Sequence, residues 1–371
     1  RGPDIVLFQE LERDRTPEST IDSVESFLRQ YEETTVREML SEPFSDEVSG
    51  LPAVAFLLKE LADRGMSYPY VATPEERPLS EDTKAHINAV FSRFPIREVI
   101  TYPTLNAREV LSVEVEVDGH PFILINNHWK SGASRVDTET TRIANARTTR
   151  RALEAVLAAD PAADVVVGGD LNSYYNQILL FPEMGVTGIN SVLGSQGDEE
   201  AVAEGRLDLY NLWFELPIAE RYTETWRDRL GTLMHLIITP GLYDDRGVRY
   251  VDGSFARVLL PGRNIDEWGR PIRFRFAGGG RGGSDHLPVL ARFETVGGDG
   301  SEILELDDPG TPENQPSRVM MLDYEWGPGA PEAAPAGELL SLPRGEWAAR
   351  LGDLFLVEGK WSSWKPPAVE S

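Results

Sequence analysis

The strongest constraint on this chain is a recurring local pattern. A short apolar run meets a cluster of polar residues that can bind ions. "PDIVLFQE" closes on Gln9-Glu10, "FILINNHWKSG" closes on Asn126 to Gly132, "VVVGGDLNS" spans Val165 to Ser173, and "GGSDHLPV" spans Gly282 to Val289. Apolar runs this short, bounded by turn residues, read as buried strands. The first three run from strand into polar turn and the fourth from polar turn into strand. In each case the charged groups stand at a sheet edge.

Between these runs the text alternates strands and helices. Asp4 to Gln9 reads as a buried strand, and Ser19 to Tyr31 and Leu51 to Ala62 carry helical spacing. Leu111, Val113, Val115 and Val117 alternate with Ser and Glu, which marks a half-buried strand. Asp118-Gly119 turns the chain and Pro121 to Asn126 returns as its partner. Thr138 to Ala159 predicts a helix, while Asp164 to Val167, Leu236 to Thr239 and Leu287 to Phe293 predict strands. Past Thr295 the character changes: "GGDGSEILELDDPGTPENQPS" is rich in Gly, Pro and acid. Residues 296–336 therefore read as an acidic linker, and 337–371, with its Trp and apolar content, as a small appendage or the start of a further module.

With 371 residues and 41% hydrophobic content the chain can build one large core or two. Its net charge of -25 gives no basic footprint for duplex DNA. An acidic protein can still act on phosphates when a metal ion neutralises the site locally. The absence of Cys excludes disulfides, zinc–thiolate sites and thiol nucleophiles. No run of about 18 apolar residues occurs, so no transmembrane segment is expected. The chain opens at Arg1 straight into a strand, as if cut inside a domain, so a signal peptide would be out of view. The compartment stays open, with a secreted or periplasmic location favoured over a cytoplasmic one. Oligomeric state is not fixed by the sequence.

The polar clusters suit a metal–phosphate site. A hard divalent cation such as Mg²⁺ or Mn²⁺ takes carboxylate and amide oxygens, which Glu10, Asp170, Asn172 and Asp285 supply. A phosphoester also needs a proton donor and stabilisation of its equatorial oxygens. His128 and His286 suit that task, and Lys130 adds a cation for the phosphate.

Taken in order, QE, NHWKSG, GDLN and SDHLPV resemble the endonuclease/exonuclease/phosphatase superfamily with its DNase-I-like fold, over roughly Pro3 to Thr295. The stretch "DLYNLWFELPIAERYTETW" followed by "GTLMHLIITPGL" is similar to its bacterial branch. The resemblance implies an α/β fold, a four-layer α/β/β/α sandwich of two mostly antiparallel sheets, with an acidic C-terminal tail. It implies a site at one sheet edge holding Mg²⁺ or Mn²⁺. Glu10 is then a metal ligand. Asp170 and Asn172 position or activate water and help hold metal and phosphate. Asp285 joins the metal or orients His286, and His286 and His128 serve as acid–base groups on the phosphate. The implied activity is phosphoester hydrolysis, of a diester or monoester. The substrate could be a small molecule, a phospholipid headgroup or a nucleic acid.

Two departures bear on activity. The family begins one strand earlier, with an Asn ligand, and no such strand precedes Arg1 here. The family usually has Asp where this chain has Met234, and that Asp would support His286. His235 points the other way on a regular strand and is a poor substitute. The alternative function is therefore a weak or silent member acting as a binding module. Among other residues, Arg142 and Arg147 read as surface or salt-bridge groups and Asn211 as a loop holder. Trp213 and Trp226 read as core, and His86 and His120 as surface.

Overall fold

The computed structural model describes residues 2–12, 23–41, 48, 51, 53–74, 86–226, 229–272, 284–296 and 318–323. The segment 337–371, the first residues of the helix expected from Ser19, and most of the expected linker lie outside the described residues.

The strands, in chain order, are β1 (Ile5–Glu12), β2 (Tyr70–Ala72), β3 (His86–Ser92), β4 (Ile96–Tyr102), β5 (Val110–Val117), β6 (His120–His128), β7 (Val165–Asp170), β8 (Tyr210–Asn211), β9 (Glu224–Trp226), β10 (Arg229–Gly231), β11 (Met234–Ile238), β12 (Val248–Tyr250), β13 (Ala256–Arg257), β14 (Val289–Thr295) and β15 (Arg318–Asp323). Four helices matter here: α1 (Val24–Gln30), α2 (Val36–Met39), α3 (Ala53–Asp63) and α4 (Val136–Ala159). One sheet runs β12-β14-β15-β1-β3-β2, with β13 added to β14, and the other runs β4-β5-β6-β7-β11-β8. Among the described residues, the strand pairs β1–β15 and β6–β7 are parallel and the other strand pairs antiparallel. The β6–β7 pair is joined through α4, as a parallel connection requires a crossover.

Three apolar layers define the sandwich. Ile5, Leu7, Val113, Val115, Leu124, Leu236 and Phe293 meet between the sheets. Val6, Phe8 and Phe91 pack on Leu57, Leu58 and Leu61 of α3. Ile123, Ile125, Val165 and Val167 pack on Ala146, Ala152 and Leu153 of α4. β1 and β7 are covered on both faces, which is why their runs show no alternation. β5 keeps Glu114 and Glu116 on its outer face, and its sequence does alternate. The layer order α3, sheet, sheet, α4 is the four-layer α/β/β/α arrangement.

Several local expectations need revision. Trp226 is 50% exposed, not core, because the two-stranded β9–β10 sheet offers it no second layer. Arg142 is fully buried, whereas Arg147 is exposed. Residues 318–323, inside the stretch read as linker, form β15 between β1 and β14, with Gln9 in register with Asp323. No helix among the described residues is long and apolar enough to cross a membrane.

Candidate active site

The ends of β1, β6 and β7 and the loop before β14 supply the site. At the end of β1 the pairing with β3 slips between Phe8 and Leu11, so Gln9-Glu10 forms a bulge. A bulge re-aims a side chain. Glu10 has φ 57, a region that a non-glycine residue occupies only when its surroundings hold it there. The holder is Asn126 of β6. Its Nδ2 donates to the carbonyls of Phe8 and Ala89, at 3.0 Å each, and its Oδ1 accepts from Gln9 Nε2 at 2.6 Å. These bonds tie the two sheets together one residue before Glu10.

His128 ends β6 and Asp170 ends β7, and the two are register partners. His128 Nε2 lies 3.5 Å from Glu10 Oε1 and 3.5 Å from Asp170 Oδ2. Gly169 precedes Asp170 at φ +120, where a Cβ would stand 2.0 Å from the carbonyl oxygen of Asn127. Only glycine lets β7 approach β6 this closely. Asn172, also at positive φ, clasps Asp170: its backbone N–H donates to Oδ1 and its Nδ2 to Oδ2, each at 2.8 Å. The same Nδ2 donates to the Trp129 carbonyl.

His286 is buried beside Asp285, with His286 Nε2 3.7 Å from Asp285 Oδ1. The loop carrying them is anchored by Leu287 N–H donating to the Thr223 carbonyl at 2.7 Å. Burial pushes the Asp170 carboxyl up to about 7, and Glu10 and Asp285 add to the rise. His286 and the Asn172 N–H pull the other way. Asp170 thus feels Glu10, Asp285 and His286 together. Six of the sequence-selected residues (Glu10, His128, Asp170, Asn172, Asp285 and His286) are linked through direct contacts or through the field at Asp170.

Lys130 enters mainly through its backbone. Its N–H donates to Asn145 Oδ1 and its carbonyl accepts from Arg142. Arg142 organises this loop: it pairs with Glu139 and donates to the carbonyls of Lys130, Ala133 and Arg135. The salt-bridge reading holds for it, but as a buried clamp. Asn211 does hold a loop, donating to Ser195 Oγ and accepting from Trp213 N–H.

Two residues escaped the sequence reading. Arg108 Nη2 lies 3.4 Å from Glu10 Oε1 and 3.4 Å from His86 Nδ1. His86 is therefore near the site edge rather than an idle surface group. No local signal marks either residue, since Arg108 is 98 positions from Glu10.

Met234 is in register with Asp170, fully buried in the inter-sheet core. His235 faces the opposite side, its ring between Asn211 and the Ser173 carbonyl.

The donor set fits a hard divalent cation. Glu10 and Asp170 bring carboxylates to one imidazole, and a buried carboxyl held near 7 is a group that a cation would allow to ionise.

The endonuclease/exonuclease/phosphatase family model matches residues 61–295. No curated protein matches the chain. Among solved structures, truncated TDP2 of Caenorhabditis elegans is 13% identical, covering 77% of this chain and 95% of its own, at a TM-score of 0.40. The human nocturnin catalytic domain with bound sulfate is 15% identical, covering 79% and 94%, at 0.40. Sphingomyelinase C from Streptomyces griseocarneus is 17% identical, covering 78% and 99%, at 0.39.

Proposed function

Because this chain belongs to the endonuclease/exonuclease/phosphatase family, we propose that it hydrolyses phosphoesters with a divalent metal ion at the edge formed by β1, β6 and β7. The observation that carries the reading is the meeting of Glu10 and Asp170 at His128 Nε2, with His286 acting on Asp170. Glu10, Asp170, Asn172 and Asp285 would hold Mg²⁺ or Mn²⁺. When bound, the ion neutralises phosphate charge and lowers the barrier to attack.

The chain's own groups do the rest. Asp170, with its carboxyl near neutrality, accepts the proton of the attacking water, and Asn172 keeps its two oxygens oriented. The water oxygen bonds to phosphorus as the bond to the leaving oxygen breaks. His286, oriented by Asp285, donates a proton to that oxygen. His128, Lys130 and Arg108 face the equatorial oxygens with hydrogen bonds and positive charge. A surface of net charge -25 favours a compact phosphodiester or short single strand over a long duplex.

Met234 supports a second reading, a silent member that only binds. A thioether opposite Asp170 cannot support an imidazolium. The test is a hydrolysis screen on the full chain with Mg²⁺, Mn²⁺ or EDTA. It uses bis-p-nitrophenyl phosphate, p-nitrophenyl phosphate, single-stranded DNA and duplex DNA. Metal-dependent turnover that Asp170→Asn abolishes supports hydrolysis. Metal binding with no turnover of any substrate favours the silent reading.

A further inference from the structure

We propose that His235, which has no part in the chemistry above, is a positioning residue for the turn 170–173. The proposal rests on the reading of this turn as part of the metal site. His235 lies on β11, fully buried, on the face opposite to that of Met234. Its ring Nε2 stands 2.8 Å from the Ser173 carbonyl oxygen, and its Nδ1 stands 3.0 Å from Asn211 Nδ2. Ser173 is 62 positions away in the chain, so no local pattern announces the bridge.

The order of hydrogen bonds fixes the state of the ring. Asn211 Oδ1 accepts from the Trp213 N–H at 3.1 Å, so the amide nitrogen is the atom turned to the imidazole. That nitrogen only donates, and it donates to Ser195 Oγ as well. His235 Nδ1 therefore accepts, and the neutral ring carries its proton on Nε2. The Ser173 carbonyl only accepts, so it takes the Nε2–H. Trp213 secures the far end, its indole N–H donating to the Met234 carbonyl at 2.7 Å. Donor meets acceptor at each step from Trp213 to Ser173.

What this relay holds is a strained turn. Asn172 has φ 45, and its N–H and Nδ2 clasp the two oxygens of Asp170. A non-glycine residue keeps such a backbone only when its surroundings fix it. The chain at the start of β11 grips the turn on both sides of Asn172. Leu171 N–H donates to the Leu233 carbonyl at 3.0 Å, and His235 donates to the Ser173 carbonyl. The first grip is backbone to backbone, and any sequence can supply it. The second depends on the imidazole, which reaches a carbonyl beyond Gly169, its register partner. Without that ring the buried Ser173 loses this partner, and Asn172 is held from one side only.

Hydrogen–deuterium exchange of the metal-free full chain tests this with two amide substitutions that differ only in reach. His235→Asn places an amide near the Nδ1 position but stops short of Ser173, whereas His235→Gln brings an amide N–H to the Nε2 position. His235→Asn is expected to speed exchange in the turn 170–173, relative to the rest of the chain, and to weaken Mn²⁺ binding. Each change should be about tenfold or more, as for loss of a group that orients a ligand. His235→Gln should restore most of both. Thr239→Val removes a buried hydroxyl just past β11, one that donates to the Ala163 carbonyl, and it should lower urea stability without changing either readout. A His235→Asn that loses stability in the same way, with exchange in the turn unchanged, overturns the role. So does a wild-type His235 whose proton sits on Nδ1 in a ¹⁵N-histidine spectrum, a measurement that needs no variant. Exchange is read without metal or substrate, so it decides the positioning role even in a protein that hydrolyses nothing, an outcome that defeats the hydrolysis reading alone.

Discussion

Asn126→Ala is the substitution whose cost follows most directly from the geometry. The side chain is fully buried, as is that of Gln9. It makes two donations, to the carbonyls of Phe8 and Ala89, and takes one from Gln9. Alanine strands one buried donor and two acceptors, each worth about 1–3 kcal/mol when left unmet. Water entry and relaxation recover part of this, so the expected loss is about 3–5 kcal/mol. The same bonds fix the bulge that sets Glu10, so Mn²⁺ affinity should fall about ten- to hundredfold, as for a group that orients a ligand. Urea unfolding followed by Trp fluorescence gives the first number, and Mn²⁺ titration followed by electron paramagnetic resonance gives the second. A loss below about 1 kcal/mol, with unchanged Mn²⁺ affinity, would refute the reasoning: the inter-sheet clamp would then be incidental.

Three more perturbations follow from the same geometry. Gly169→Ala places a methyl against the Asn127 carbonyl at a φ that alanine resists, and it should cost about 3 kcal/mol or more in urea unfolding, with hydrolysis lost alongside. Met234→Asp should lower stability, since it buries a carboxylate opposite Asp170, yet raise hydrolysis by about ten- to hundredfold if the new acid supports His286. The gain should vanish with His286→Ala, and a folded, metal-binding Met234→Asp without any gain would mean that Met234 does not stand in for a catalytic acid. Burial holds His235 down to about 4, while the unfolded imidazole titrates near 6.5. Its contribution is therefore complete above pH 6.5 and is lost as pH falls toward 4, by about 3 kcal/mol in all. The difference in urea stability between wild type and His235→Asn should change with pH only within that window.

The parts of the fold legible in the sequence are those set by local pattern. The unbroken apolar runs of β1 and β7 announced strands covered on both faces, and the alternation in β5 announced one outward face. The helix expected from Thr138 to Ala159 begins two residues earlier, at Val136. The site clusters were legible because each sits at a strand end, where the chain leaves the core. What stayed hidden depends on pairing between distant segments. Arg108 reaches Glu10, and His86 reaches Arg108, only once distant segments meet, with β3 beside β1. β15 lies in a stretch whose Gly, Pro and acid content argues for linker, and its strand state comes from the slot between β1 and β14. Trp226 looked like core because tryptophan usually is, but its small hairpin has no layer to cover it.

The central claim is that the edges of β1, β6 and β7 form a divalent-metal site. Anomalous scattering from crystals soaked in Mn²⁺ tests it most directly. The expected result is a peak whose neighbours include carboxylate oxygens of Glu10 and Asp170 at about 2.0–2.6 Å. No peak between those two residues, with the protein ordered and Mn²⁺ present only elsewhere, would contradict it.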